Sequence, residues 1–506
     1  MSNYLVGVDI GTQGTKAVVF DEDMRVCGEG FEASRLISPK PGVVWQEAED
    51  ILGSVGRTVK TALDGSGIRG GHVACVGVDG QMAGIMGVRQ DGSAATYYDS
   101  WLDTRCGGHM RAMRREAGAR CTEITGGPVT YTHGPKILWW KHERPEIYGR
   151  IHKFVLPHAF VVMQMCGLTG DEAYFDYTCL QYSGFGDNLN KEWSGELLDR
   201  FGIEPGKMAR IVSPFEIVGR VTADFAGQSG LREGTPVAAG LGDTAAATFG
   251  SGMISRGVVQ DCAGTASVLC TVVEEYRPDT EYETMTQVRS PIDGLWLPLA
   301  YINGGGLCIR WFRDCLTGSP PAAYEELEAE AKDLPPGSEG ILFMPHFSGR
   351  VLPQNPYVKG SFVGLDWKHT RSHMYRAILE GTGYEYAYYY SVIKKLFPRQ
   401  EFTGMAAIGG GAKSGLFNQI KADILNLPVT TFASGETALA GSAVVAGVAC
   451  GLFPDYREPL GKVMSEGKTF RPDPESHEAY QPFAREYLHV IRALEPIYQS
   501  AVYNIE

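Results

Sequence analysis

The chain has 506 residues, 44% of them hydrophobic and 21% charged, and a formal net charge of −13 at pH 7. This composition is typical of a globular protein with two or three domains, and the negative charge argues against non-specific binding to nucleic acid or to an anionic membrane. The eleven cysteines form no C-x-x-C pair and no zinc-like cluster, which favours reduced thiols and a cytoplasmic location. The start of the chain has no basic segment ahead of its first predicted strand, so no signal peptide is predicted.

Strand-like and helical segments alternate along the chain, which predicts an α/β architecture. In chain order, the first half has predicted strands at 4–9, 15–21 and 73–79 and predicted helices at 46–63, 135–148 and 153–166. A second half begins near residue 250. Its predicted elements are two strands within 257–275, a helix at 369–396, a strand, glycine turn and helix within 404–425, a helix in 438–453 and a helical tail at 475–500. The apolar run 438–453 is shorter than the ~20 residues of a membrane span.

Two turns rich in glycine and threonine resemble each other. The first is DIGTQGT, from Asp9 to Thr15, and the second is DCAGTAS, from Asp261 to Ser267. Ordinary hairpin turns use the same residue types. The repetition nevertheless favours two similar halves that face one ligand and hold a triphosphate between them with backbone N–H groups and hydroxyls.

Three further glycine-rich stretches allow a structural or a functional interpretation. In GLGDTAAATFGSG, 240–252, Asp243 stands just before a predicted helix. It is either the N-cap of that helix or a base that accepts the proton of an attacking hydroxyl, as phosphoryl transfer to an alcohol requires. The stretches GGGAKSG, 409–415, and NGGG, 303–306, are either tight turns or places where a phosphorylated ligand approaches the backbone.

A polar and aromatic set stands in two segments that predict loops at strand ends. VDGQMAG, 78–84, contains Gln81, and YDSWLDTR, 98–105, contains Trp101, Asp103 and Arg105. Such a set suits a sugar, because polar side chains take the hydroxyls while an aromatic face covers the C–H surface. The alternative is a solvated loop with one buried tryptophan.

With these residues in this order, the sequence resembles the FGGY carbohydrate kinases of the actin-like ATPase superfamily over nearly its whole length. GSFVGLDWKHTRSHMYRAILE, 360–380, fits the C-terminal signature of that family at each constrained position. YTHGPKILWWKHE, 131–143, keeps Lys136 and Trp139 of the other signature but departs from it at His133 and Trp140. The resemblance implies two actin-like (ribonuclease-H-like) α/β domains, at 1–248 and 249–506, with a catalytic cleft between them.

The resemblance also implies a role for each matching position. Asp243 matches the general base, and Asp9 and Asp243 are the expected magnesium positions, mostly through water. The positions implied for the nucleotide are Thr12, Gln13, Lys16, Gly264, Thr265, Gly306, Arg310, Gly410 and Gly411. The positions implied for the sugar by similarity to xylulokinases are Gln81, Met82, Trp101 and Asp103, together with Asp243.

The expected activity is transfer of the γ-phosphate of ATP to a primary hydroxyl of a xylulose-like ketose or a related polyol, with Mg²⁺ as cofactor. Two departures concern the sugar: Ala83 replaces the histidine of the G-Q-M-H-G pattern of xylulokinases, and Leu102 replaces the asparagine of their W-N-D-x-R pattern. The alternatives are a kinase for ribulose, L-xylulose or erythritol, an actin-like ATPase without kinase activity, and a sugar sensor. The expected partners are the sugar or polyol and ATP, without nucleic acid or membrane, and a homodimer is plausible by resemblance only.

Overall fold

The structure is a computed structural model, and it describes residues 3–434 and 436–500. Two large mixed sheets organise the described residues, one in the first half of the chain, which ends with α8, and one in the second half, which begins with β17. The strands of the first half are β1 (Tyr4–Ile10), β2 (Gly14–Phe20), β3 (Val26–Ala33), β4 (Ile37–Lys40), β5 (Val43–Gln46), β6 (Val73–Gly80), β7 (Met86–Val88), β8 (Tyr98–Asp99), β9 (Lys153–Val155), β10 (Tyr174–Asp176), β11 (Gly186–Asp187), β12 (Glu192–Trp193), β13 (Arg210–Val212), β14 (Ile217–Arg220), β15 (Pro236–Ala238) and β16 (Leu241–Gly242). Its helices are α1 (Ala48–Ser66), α2 (Gly107–Thr125), α3 (His133–Glu143), α4 (Pro145–Tyr148), α5 (Pro157–Cys166), α6 (Gly195–Phe201), α7 (Ala223–Ser229) and α8 (Asp243–Gly250).

The second half repeats this alternation with longer helices. Its strands are β17 (Val258–Ala263), β18 (Ser267–Thr271), β19 (Thr286–Arg289), β20 (Trp296–Ile302), β21 (Leu342–Met344), β22 (Ser361–Val363), β23 (Gly404–Ile408), β24 (Val429–Ser434) and β25 (Met464–Phe470). Its helices are α9 (Gly305–Leu316), α10 (Tyr324–Ala331), α11 (Arg371–Leu396), α12 (Gly415–Leu425), α13 (Thr437–Ala449), α14 (Arg457–Val463) and α15 (Pro474–Tyr498). Among the described helices, none is both long and apolar enough to cross a membrane.

The two large sheets share one strand pattern. In the first, β1 pairs with β2 and β2 with β3 in antiparallel fashion, and β6 lies parallel to β1 on the other side. In the second, β17 pairs with β18 and β18 with β20 in antiparallel fashion, and β23 lies parallel to β17. This repeat confirms the two-domain α/β fold that the resemblance implied, and it places the two glycine-threonine turns at equivalent hairpins.

The central strand β1 is covered on both faces, which explains why it is apolar at nearly every position. Val6 and Val8 belong to the same core as Val55 and Val59 of α1. Because side chains alternate along a strand, Leu5 points the other way, into a second core that includes much of α13. Helix α13 therefore packs on the first sheet although it belongs to the second half of the chain.

Two of the predicted helices differ from the observed elements, and proline explains both differences. The segment 135–148 is split into α3 and α4 at Arg144, because Pro145 can begin a helix but cannot continue one. In 153–166, only α5 is helical. Residues 153–155 form β9 beside β7, and Leu156 is extended ahead of Pro157.

Candidate active site

Three aspartates lie together at one edge of the first sheet. Asp9 on β1 is in register with Asp79 on β6, and β16 runs parallel to β6 with Leu241 beside Asp79. Asp243 follows β16 directly as the first residue of α8. The carboxyl ends of parallel strands meet at the same edge of a sheet, where open α/β sheets bind their ligands. The cluster therefore marks the site.

Asp79 was missed as a site residue, although it ends the predicted strand 73–79, which the structure extends by one residue to Gly80. A signal was present in the sequence: VGVD occurs at 6–9 and again at 76–79. In both copies the glycine and the aspartate lie on the face toward α13. A Cβ atom on Gly7 would be 2.2 Å from the carbonyl oxygen of Leu439, and one on Gly77 would be 2.0 Å from that of Ser442.

Asp9 and Asp79 are harder to ionise than ordinary aspartates, because both are buried and lie close to other carboxylates. Burial, followed by the charge of Asp243, raises the pKa of Asp9 to about 7. Burial and the charge of Asp9 raise the pKa of Asp79 well above its usual range, against the hydrogen bond of 2.6 Å that Ser442 donates to it. Crowded carboxylates of this kind are stabilised by a proton or a cation.

The residues present fit a hydrated divalent cation. Oδ1 of Asp9 and Oδ1 of Asp79 are buried and have no hydrogen-bond partner among the described residues, and carboxylate oxygens are the ligands that Mg²⁺ prefers. No three His, Cys, Asp or Glu side chains of the described ranges meet as direct metal ligands. A cation here would therefore complete its coordination with water and with phosphate oxygens.

The described residues donate hydrogen bonds to one oxygen of Asp243 and not to the other. The N-cap of α8 is Gly242 rather than Asp243, which corrects the structural alternative considered from the sequence. Thr244 donates its backbone N–H to Oδ1 of Asp243 at 2.5 Å, whereas no described residue donates a hydrogen bond to Oδ2. Burial raises the pKa of Asp243 to about 6. Met82 lies against Gly242, where a Cβ atom would be 2.6 Å from it.

The sugar positions and the tip of the first hairpin are joined by one chain of hydrogen bonds. Trp101 donates its indole N–H to the hydroxyl of Thr12 at 2.8 Å, and that hydroxyl donates to the amide oxygen of Gln81 at 3.1 Å. Gln81 in turn donates to the buried Gln46 at 2.8 Å. Thr12, a predicted nucleotide position, thus contacts the predicted sugar set. Gln46 joins this hydrogen-bonded set, although its local sequence gave no indication of a role there.

Asp103 is tied into the protein more tightly than its neighbours. Its carboxylate accepts the backbone N–H of Val44 at 2.8 Å and the Nε of Arg105 at 2.8 Å. Arg105 also donates to Asp99 at 2.6 Å, and Lys136 donates to the carbonyl of Asp103 at 2.7 Å. Both cations of this set are therefore engaged, and they fix the loop that carries Trp101.

Lys16 on β2 is the one cation among the predicted phosphate positions of the first hairpin. Its Nζ lies 3.0 Å from Glu29 of the first half and 2.9 Å from Glu436 of the second half. Burial opposes the charge, but these two carboxylates raise the pKa of Lys16. Gln13, at the tip of the same hairpin, is exposed.

The predicted nucleotide positions of the second half converge around the second hairpin. A Cβ atom on Gly306 would be 1.9 Å from the carbonyl oxygen of Gly264, and the backbone N–H of Leu307 donates to the carbonyl of Thr265 at 3.3 Å. A Cβ atom on Gly411 would be 2.4 Å from Ala263, at the base of the hairpin. Gly410 begins the short 3₁₀ turn 410–413 next to it. Gly306 and Gly411 have to be glycine because a side chain at either position would collide with the second hairpin.

A cavity of about 350 Å³ adjoins this cluster along α9. Arg310 lines it one helical turn after Gly306, together with Trp311 and Phe347. The aromatic and apolar walls suit a flat heterocycle, while the hairpin backbone at its end can contact phosphates.

The two halves differ at their equivalent aspartates. Asp261 on β17 corresponds to Asp9 on β1, but Lys421 contacts its Oδ2 and Tyr386 donates to its Oδ1 at 2.6 Å. Its partner in register on β23 is Ala407 rather than a second carboxylate. Only the aspartate of the first half is therefore available to a cation.

Two repeated α/β units that enclose a carboxylate site between glycine-threonine hairpins define the actin-like class of ATP-using folds. Comparison with known proteins narrows this class. The N-terminal domain of the FGGY family of carbohydrate kinases matches residues 4–250, and its C-terminal domain matches residues 262–450. The chain belongs to this family and is an ATP-dependent carbohydrate kinase.

Individual relatives are distant but align over nearly their whole length. The xylulose kinase of Bacillus subtilis is 26% identical over 485 residues, which cover 94% of each chain. The gluconokinase of the same species is 27% identical over 512 residues, 98% of this chain and 95% of the relative. The crystal structure of gluconate kinase from Lactobacillus acidophilus superposes with a TM-score of 0.90 at 23% identity, covering 98% of this chain and 99% of the other.

Proposed function

We propose that this enzyme transfers the γ-phosphate of ATP to a primary hydroxyl of an uncharged, xylulose-like ketose or a related polyol, with Asp243 as the general base. The observation that carries the proposal is that Oδ2 of Asp243 accepts no hydrogen bond from the described residues, while Asp243 follows β16 beside the carboxylates Asp9 and Asp79. Met82 of the predicted sugar set packs against the preceding Gly242. A general base needs an oxygen that is free to accept the proton of the acceptor hydroxyl, next to the place where the phosphate is held.

The charges around the sugar set favour an uncharged acceptor over a sugar acid. A carboxylate on the substrate needs a cation that is free to pair with it. Arg105 is already paired with Asp99 and Asp103, and Lys136 is bound to a backbone carbonyl. The gluconokinase among the relatives therefore indicates a second acceptor to test rather than the preferred one.

The structure constrains the identity of the sugar less than it constrains the class of acceptor, an uncharged ketose or polyol. Ala83, where xylulokinases place a histidine, adopts a left-handed backbone conformation with φ of +66°, and its methyl group cannot donate a hydrogen bond to a hydroxyl. Ribulose, L-xylulose and erythritol are thus the alternatives to xylulose.

In the proposed mechanism, the oxygen of the sugar hydroxyl attacks the γ-phosphorus in line while Asp243 accepts the proton of that hydroxyl. Backbone N–H groups of the two hairpins and the ammonium of Lys16 offset charge on the transferring group. Gln81, Trp101 and Asp103 orient the sugar over Met82. Mg²⁺ bound with ATP supplies further neutralisation beside Asp9 and Asp243, and closure of the cleft excludes water as a competing acceptor.

The test is ADP release with Mg-ATP against pentuloses, hexuloses, pentitols, tetritols and gluconate, with a blank that contains no sugar. We expect one ketose or polyol to stimulate release strongly and D243N to lose at least about 10²-fold in kcat, with ATP binding retained. The exposed Asp199 of α6 offers the matched control D199N, which keeps full activity.

Turnover of D243N close to that of the wild type would remove Asp243 from the role of base. Stimulation by gluconate alone would overturn the uncharged acceptor. The homodimer expected by resemblance is a separate proposal, which sedimentation analysis of the purified protein tests.

A further inference from the structure

A buried chain of polar contacts leads from α5 to the residue before Asp243. His158 on α5 places its Nε2 2.8 Å from Oδ2 of Asp176, at the end of β10. The other oxygen of Asp176 accepts the backbone N–H of Thr178 at 3.0 Å and is also contacted by the hydroxyl of Thr178. His158, Asp176 and Thr178 have no exposed surface.

The chain ends on the backbone of Gly242. The N–H of Gly242 donates to the hydroxyl oxygen of Thr178 at 3.0 Å. Since the hydroxyl hydrogen of Thr178 points to Asp176, its lone pairs are left for this N–H, and a hydroxyl that both donates and accepts has its orientation fixed. Gly242 is the N-cap of α8, with φ −69° and ψ 145°, so its orientation sets that of the next residue, Asp243.

His158 also touches the neighbouring strand. A Cβ atom on Gly80 would lie 3.2 Å from the Cβ and 3.3 Å from the Nδ1 of His158, so the imidazole packs directly on the end of β6. Gly80 pairs in register with Gly242 and follows Asp79. One buried side chain therefore bears on both strand ends that present the carboxylates of the site.

Part of this arrangement is structural, because Asp176 caps the short 3₁₀ turn Tyr177–Tyr182 by accepting the backbone N–H of Thr178. That cap needs neither the contact of His158 with the other oxygen of Asp176 nor the hydrogen bond from the Gly242 N–H to the Thr178 hydroxyl. These further contacts fix orientations. His158 holds Asp176, Asp176 holds the hydroxyl of Thr178, and that hydroxyl holds the backbone of Gly242, which precedes the proposed base.

We propose that His158, Asp176 and Thr178 are positioning residues that hold the Gly242–Asp243 backbone so that Oδ2 of Asp243 faces the acceptor hydroxyl. This inference rests on the proposed role of Asp243 as base. None of the three touches the substrate, so their loss should lower kcat while leaving the binding of both substrates unchanged, since only an interaction specific to the transition state is impaired.

The decisive pair of variants is T178V and T178S. Valine has nearly the shape of threonine but cannot accept the Gly242 N–H, whereas serine keeps the hydroxyl. We expect T178V to lose about 10- to 100-fold in kcat, as small misplacements of reacting groups do. The KM for ATP and for the sugar and the calorimetric Kd for ATP should stay near their wild-type values. T178S should restore most of kcat, with every assay run well below the melting temperature of the variant.

Wild-type kcat in T178V would overturn the inference, and so would an equal loss of kcat in T178S. If T178V does not fold, T178A replaces it, because alanine also removes the hydroxyl that accepts the Gly242 N–H and adds no second methyl group. The same loss confined to kcat is then expected, and an unchanged kcat refutes the proposal. The variant D243N separates failure of this inference from failure of the proposed function. If D243N is active, Asp243 is not the general base, whatever the result for T178V.

Discussion

Among single side chains, the proposed base Asp243 predicts how activity depends on pH. Burial raises its pKa to about 6, so the carboxyl is protonated below that pH and can accept no further proton. We expect kcat/KM for the sugar to fall about tenfold for each pH unit below 6 and to level off above it, because kcat/KM reports the essential base of the free enzyme. A pH profile of kcat/KM for the sugar measures this directly.

The profile needs a control for the neighbouring carboxylate. Asp9 has its own pKa raised to about 7, and a limb centred there instead would identify Asp9 as the group that limits turnover. Circular dichroism at each pH separates loss of activity from unfolding. A kcat/KM that stays level from pH 5 to pH 8 would contradict the roles expected of both Asp243 and Asp9.

Among the secondary-structure elements, the contact of α13 with β1 and β6 is the one on which the carboxylate cluster depends. A methyl group at Gly77 would lie 2.0 Å from the backbone oxygen of Ser442, whose side chain holds Asp79. We expect G77A to lower the free energy of unfolding by about 1–3 kcal/mol, as overpacking does. We also expect it to lower kcat, because Ser442 moves away with α13 and its hydrogen bond to Asp79 is lost. Urea denaturation and steady-state kinetics measure the two effects.

Gly65 of α1 supplies the matched control. A Cβ atom there meets nothing within 4 Å, so G65A should leave kcat unchanged and stabilise the protein by about 0.5–1 kcal/mol, the usual gain of alanine over glycine inside a helix. If G77A were as stable and active as G65A, the close approach of α13 would not matter to the site.

The sequence predicted the elements whose signals are local. The hairpins around Gly11 and Gly264 follow from turn residues between apolar strands, and α11 follows from its helical periodicity. Their repetition also predicted two similar halves. The structure brings Gln81, Trp101 and Thr12 together, as a common site requires, although their separate roles stay predictions.

Local sequence patterns did not predict which part of the protein each element packs against. The run 438–453 predicted a packed helix, but its periodicity does not say that α13 would lie on the sheet of the other half. The same limit hid Asp79, since a strand end and a loop look alike where Gly80 follows. The buried Lys421 beside Asp261 was equally out of reach, because its partner lies 160 positions away in the chain. Pairings over such distances depend on the assembled fold.

Between the two halves, the ion pair of Lys16 with Glu436 crosses the site where the phosphates are proposed to bind. Lys16 cannot give its full charge to a phosphate while Glu436 holds it, so E436Q should bind ATP more tightly. The pair is partly exposed, and such pairs are worth about 0.2–1 kcal/mol, which predicts a KM for ATP lower by up to about fivefold.

The control is E29Q, which removes the more exposed partner of Lys16 within the first half and should have the smaller effect. A KM for ATP that rises in E436Q would show instead that Glu436 supports the bound nucleotide or its metal, and Lys16 would then be held in place by Glu436 rather than restrained by it.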